Sequence, residues 1–89
     1  MTSDQRRCLA DALRTGYRAL KGGAPALDVV EATIRMLEAS GLFNAGVGSK
    51  LQLDGARRMD ASIMDGSGLR AGAVASIQGV RHPITAAVE

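Results

Sequence analysis

The run Gly41-Leu42-Phe43-Asn44-Ala45-Gly46-Val47-Gly48-Ser49-Lys50 is where residue types and spacing best suit chemistry in this sequence of 89 residues. Gly41 and Gly46 have the outer spacing of a phosphate-binding loop, but Val47 stands where that loop needs its lysine. The Gly46-Val47-Gly48 triplet follows a helical pattern rather than a strand and opens no helix, which argues against a dinucleotide fold. Glycines at these positions instead permit positive φ angles and a tight backbone. Such a loop can turn several carbonyl oxygens inward around a hard cation.

The other reactive side chains are sparse. Asp60 and Asp65, five residues apart in an extended segment, point to opposite faces and form no acid–base pair within it. Asp65 before Gly66 reads as a turn residue. Asp60 between Met59 and Ala61 reads as structural, paired with Arg57 or Arg58 if buried. His82 is the single histidine and precedes Pro83, which pushes its backbone towards extended geometry. Cys8 is the single cysteine, which excludes an internal disulfide or a multi-cysteine metal site. No Ser-His-Asp or Cys-His arrangement assembles from these residues.

Two helices must hold this loop. Thr2 and Gln5 have capping-box spacing at the head of a helix from Thr2 to Lys21, with Leu9, Leu13 and Leu20 as its buried stripe and Tyr17 at the margin. Arg7, Arg14, Arg18 and Lys21 fall on the opposite stripe at about 100° per residue. With no aromatics interleaved, that stripe reads as a solvated face, and nucleic acid is not an expected partner. Gly22 and Gly23 suit a left-handed helix stop. A second helix is predicted from Pro25 to Glu38, with Leu27, Val30, Ile34 and Leu37 on one apolar face, widened by Val29 and Met36. Glu31 and Arg35 have the spacing of an ion pair on it.

Beyond the loop, short alternating segments are separated by turn signals. Lys50–Leu53 and Ala56–Met59 flank Asp54-Gly55, a hairpin signal. Met59, Ala61 and Ile63 alternate with Asp60, Ser62 and Met64. After a turn at Asp65–Gly68, Leu69 to Gln78 is predicted as a strand with Leu69, Ala71, Ala73, Ala75 and Ile77 on one face. A further helix could start after Pro83. The class is α+β, in a single domain of residues 1–89. Tyr17 and Phe43 are the only aromatics, so the core must be built from small side chains. The net charge is +2. No segment approaches the roughly 18 continuous apolar residues of a membrane span, and charge starts at once without an apolar leader, so a cytoplasmic location is expected.

Several blocks occur together in a recognisable order: Leu37-Glu38, Leu42-Phe43-Asn44-Ala45-Gly46-Val47-Gly48, Met59-Asp60-Ala61-Ser62-Ile63-Met64-Asp65-Gly66 and Ala71-Gly72-Ala73-Val74-Ala75. Jointly they resemble the plant-type L-asparaginase and isoaspartyl peptidase family. Gly16-Tyr17 and Ala26-Leu27-Asp28-Val29-Val30-Glu31 fit as well. Arg81-His82-Pro83-Ile84 resembles a segment that usually reads Asn-Pro.

The resemblance implies a partial αββα sandwich of the N-terminal-nucleophile hydrolases, here two helices and a short antiparallel strand meander. Members cleave themselves into α and β subunits. The freed threonine of the β subunit attacks L-asparagine or an isoaspartyl peptide bond, with its own α-amino group as base. By this resemblance the chain corresponds to the N-terminal part of an α subunit. The family's first strand and its His-Gly-Gly-Ala-Gly segment do not occur in it, nor does the nucleophile. Thr2, Thr15, Thr33 and Thr85 are not in that motif, and no catalytic residue carries over. The remainder of the α subunit and the β subunit are the implied partners, in an oligomer when complete. Two site assignments do carry over: a structural sodium ion held mainly by main-chain oxygens of Leu37, Glu38, Ser40, Phe43, Ala45 and Val47, and an active-site supporting role for Asn44. A fragment that docks on a full-length homologue without catalysis is the alternative.

Overall fold

A computed structural model describes all residues, 1–89. Helix α1 spans Ser3–Lys21 and helix α2 spans Ala26–Ser40. A short 3₁₀ turn occupies Gly46–Gly48. Strands β1 (Met59–Asp65) and β2 (Arg70–Ile77) form an antiparallel two-stranded sheet, and helix α3 covers Pro83–Val88. The class is therefore α+β, as expected, and the helix after Pro83 forms.

The capping box at the head of α1 is complete. The Gln5 N–H donates to Thr2 Oγ1 at 3.1 Å, and the Thr2 N–H donates to Gln5 Oε1 at 2.9 Å. The stop is shifted by one residue: Gly22 is still right-handed, and Gly23 turns left-handed at φ +92°. α2 runs past Glu38 to Ser40 because Gly41, at φ +74°, supplies its left-handed terminus.

The face that α1 buries differs from the predicted one. Ala12 and Gly16 are buried, while Leu13, Tyr17 and Leu20 stand 72%, 64% and 53% exposed. A Cβ added to Gly16 would lie 3.0 Å from Thr33 Oγ1 and 3.6 Å from Val29 Cγ1. The axes approach this closely only because the contacting side chains are small, and leucines in the seam would hold them apart. On α2 the same contact buries Val29, and Val30 turns outward at 44% exposure, against expectation.

Two corrections concern the strands. Lys50–Leu53 and Ala56–Met59 do not pair as a hairpin, so the meander reduces to β1 and β2. Only the turn forms, with the Gln52 N–H on Ala56 O at 2.8 Å and the Gly55 N–H on Gln52 O at 2.9 Å. Arg57 is drawn back to Ser49 O and Arg58 to Asp54, so the second arm follows its side-chain partners rather than a ladder.

The second correction is a bulge. Ala61 faces Val74 but Met59 faces Ile77, so Ala75 and Ser76 oppose Asp60 alone. Ser76 adopts φ +54°, and its N–H donates to Asp60 Oδ1 at 2.8 Å. One extra residue inverts the alternation. Gly72, Val74 and Ile77 therefore share the shielded side, in place of the predicted row from Leu69 to Ile77.

α3 closes that side. Pro83, Ile84 and Ala87 are buried, and Ile84 and Pro83 are the largest fully enclosed side chains. Any Cβ on Gly72 would sit 1.9 Å from Ala87 O, so the helix backbone rests directly on the strand.

Candidate functional site

Carbonyl oxygens collect where α2 ends and the glycine loop folds back across it. The end of a helix exposes carbonyls that have no intrahelical partner, and its dipole makes that end negative. Added Cβ atoms locate the crowding. One on Gly46 would meet Glu38 O at 2.6 Å, and one on Gly48 would meet Phe43 O at 2.3 Å and Gly41 O at 2.8 Å. Gly46 also carries φ +53°. These two glycines are required by close approach: Gly46 packs on the backbone and Cβ of Glu38, and Gly48 on the carbonyls of Phe43 and Gly41.

The six residues assigned to a cation lie together on this one corner. Leu37 O accepts the Ser40 hydroxyl at 2.8 Å. Phe43 O accepts the Ala45 N–H at 2.7 Å, and Ala45 O accepts the Gly48 N–H at 3.1 Å. Each of these oxygens retains a second lone pair. Glu38 O and Gly41 O receive none of the loop's N–H groups. The Val47 side chain is half exposed at the rim. Gly41, whose left-handed φ ends α2, places its carbonyl against Gly48. No group of three or more His, Cys, Asp or Glu side chains that could hold a metal ion occurs in the structure.

Asn44 stands beside this corner, exposed, with its Oδ1 accepting the Lys50 N–H at 2.8 Å. That bond closes the loop across the 3₁₀ turn. Asn44 lines a cavity of about 220 Å³ together with Glu38, Ser49, Arg58 and Asp60. Ser49 Oγ is buried there and has no hydrogen-bond partner. Sequence reading passed over Ser49, because a serine after glycine reads as loop.

Glu38 does more than contribute a carbonyl. Its side chain is buried, with Oε1 3.2 Å from His82 Nδ1 and Oε2 accepting the Ile84 N–H at 3.1 Å. Which of Glu38 Oε1 and His82 Nδ1 carries the shared proton depends on the imidazole tautomer. His82 thereby ties the start of α3 to α2. Alongside, Thr85 Oγ1 donates to Glu31 at 2.8 Å and accepts from Arg35. The expected pair between Glu31 and Arg35 is replaced by this shared threonine.

Of the remaining candidates only Asp60 reaches the site, as part of the wall of the Asn44 cavity. Asp60 is exposed and pairs with neither Arg57 nor Arg58. Asp65 caps its own turn, and the Ser67 hydroxyl followed by the Ser67 N–H holds its carboxyl below the usual carboxylate range. Arg7 and Arg14 lie exposed beside Asp4 and Asp11, a solvated face as expected. No helix is long and apolar enough to cross a membrane.

With this geometry in place, the comparison with known proteins is direct. A family model described as asparaginase matches residues 1–89. The chain belongs to that family, that of the plant-type L-asparaginases and isoaspartyl peptidases. It is 47% identical over 81 residues to an isoaspartyl peptidase of Salmonella typhimurium, covering 91% of this chain and 26% of that protein. A plant-type L-asparaginase of Pyrococcus furiosus is 56% identical over 77 residues, 86% of this chain and 25% of that one. An isoaspartyl peptidase/L-asparaginase of Rattus norvegicus is 49% identical over 76 residues, 85% and 23% respectively. The chain spans about a quarter of the length of these relatives.

Proposed function

We propose that this segment serves an amidohydrolase acting on L-asparagine or isoaspartyl peptides, as scaffold and cation loop rather than as source of the nucleophile. The observation that carries the reading is the corner between α2 and the glycine loop. Oxygens of Glu38, Gly41 and Phe43 crowd against Gly46 and Gly48 there, with Asn44 pinned beside them. Leu37, Glu38, Ser40, Phe43, Ala45 and Val47 would hold a sodium ion through main-chain oxygens. The ion would offset the negative end of α2 and hold the loop in one shape. Asn44 would then be presented at a fixed position to a reacting centre built by the rest of an αββα sandwich.

The chain by itself should release no ammonia from L-asparagine, and turnover by the purified chain would overturn the reading. A chimera carries the positive test: this segment replaces the matching part of the Pyrococcus furiosus relative. Hydrolysis of L-asparagine or a β-aspartyl dipeptide is expected, and Asn44→Ala should lower kcat about tenfold or more, the cost of losing one positioning contact. An unchanged kcat removes Asn44 from the site. Exchanging sodium for a bulky organic cation should lower the chimera's melting temperature, and an unaltered melting curve removes the ion.

A non-catalytic docking role is the second reading, favoured by the exposed Leu13, Tyr17 and Leu20. It predicts that the purified chain co-purifies with an intact relative and changes its activity. A chain that does neither ends that reading.

A further inference from the structure

The sequence contains two Asp-Gly bonds, Asp54-Gly55 and Asp65-Gly66, and both lie in turns. We infer that Asp54-Gly55 is a site of spontaneous aspartate isomerisation, that Asp65-Gly66 is protected by its fold, and that Arg58 sets the rate at the first.

The chemistry needs no partner beyond water. The Gly55 nitrogen gives up its proton and bonds to Asp54 Cγ, and a carboxyl oxygen departs as water to leave a five-membered succinimide. Water then adds to the former Asp54 backbone carbonyl and breaks its bond to nitrogen. The chain continues through the side chain as an isoaspartyl linkage of unchanged mass. Glycine favours the attack because no Cβ shields its nitrogen, and at Gly55 and Gly66 alike nothing lies within 4 Å of where a Cβ would be, so this feature does not distinguish the two bonds.

Geometry separates the two bonds. Asp54 is exposed and lies outside the ladder, next to a Leu53 that is wholly exposed. Two backbone hydrogen bonds, between Gln52 and Ala56 and between Gly55 and Gln52, hold its turn. Asp65 ends β1 opposite Arg70, its side chain is 28% exposed, and its Oδ1 accepts both the N–H and the hydroxyl of Ser67. Attack at Asp65 requires opening the end of the sheet. Attack at Asp54 requires only a local opening of an exposed turn, the low end of the range of opening costs.

Arg58 sits 2.8 Å from Asp54 Oδ2. An ionised carboxylate is a poorer electrophile than the neutral acid. The Arg58 guanidinium, and then the Ala56 N–H, hold the Asp54 carboxyl below its ordinary range, which keeps it ionised.

The test ages the purified chain in mildly acidic buffer and quantifies isoaspartate at each position by peptide fragmentation. Folded chain should accumulate about tenfold more at position 54 than at 65, the ratio expected when one site opens locally and the other with its sheet. In strong denaturant that ratio should fall to about one, since both are then open Asp-Gly bonds. Arg58→Ala should raise the rate at 54 by about threefold, in keeping with an exposed ion pair. Arg58→Lys should not, and position 65 should be indifferent to both. Equal accumulation at the two sites in folded protein overturns the site, and an Arg58→Ala rate matching the parent overturns the role of Arg58.

Discussion

α2 is held on two sides by opposite means. Towards α1 it meets Ala12 and Gly16 with Val29 and Thr33, a seam in which nothing is directional except close contact. Towards α3 it extends two carboxylates, Glu38 and Glu31, that take up His82, Ile84 and Thr85. The first arrangement brings backbones near each other and leaves α1's large side chains outside. The second fixes one orientation of α3, and with it the sheet that α3 covers. The Glu38 backbone also borders the glycine loop, so the directional side is the one that shapes the candidate site.

The largest test of this contrast is Glu38→Ala. It strands a buried Ile84 N–H and removes the partner of His82, so it should cost about 3 kcal/mol in urea unfolding. Gly16→Leu tests the other side. Overpacking the seam should cost about 2 kcal/mol and force the helices apart, but the loop's own contacts should survive. Thr85→Val removes two hydrogen bonds from the directional side at nearly constant volume and should cost about 1 kcal/mol. Leu13→Ser is the smallest. Its side chain is exposed, so a change within about 0.5 kcal/mol is expected, where a buried leucine would lose several times that. A large loss from Leu13→Ser together with a small one from Glu38→Ala would reverse the comparison.

Much of this was legible in the residues. The capping box of Thr2 and Gln5 is a local device, and it formed as read. The alternation of Met59, Ala61 and Ile63 survived because that strand carries no extra residue. The failures were tertiary. Leucine stripes outweigh alanine and glycine on any hydrophobicity count, yet close helix contact selects the small residues of α1. The bulge at Ala75 and Ser76 has no composition signal, and one inserted residue exchanged the faces of β2. The loop itself was singled out by spacing and resemblance. Ser49 and the linkage through Glu38 were not, because both depend on segments brought together across 40 or more residues or on burial alone.

Gln5 carries a consequence for motion. Its amide oxygen caps α1, while its Nε2 donates to Leu42 O at 2.8 Å, across 37 residues of chain. Fraying of the first turn of α1 therefore frees Leu42 O and removes one tether of the glycine loop. An event at the amino end of the chain would be felt at Asn44 as a change in how often the loop lets go.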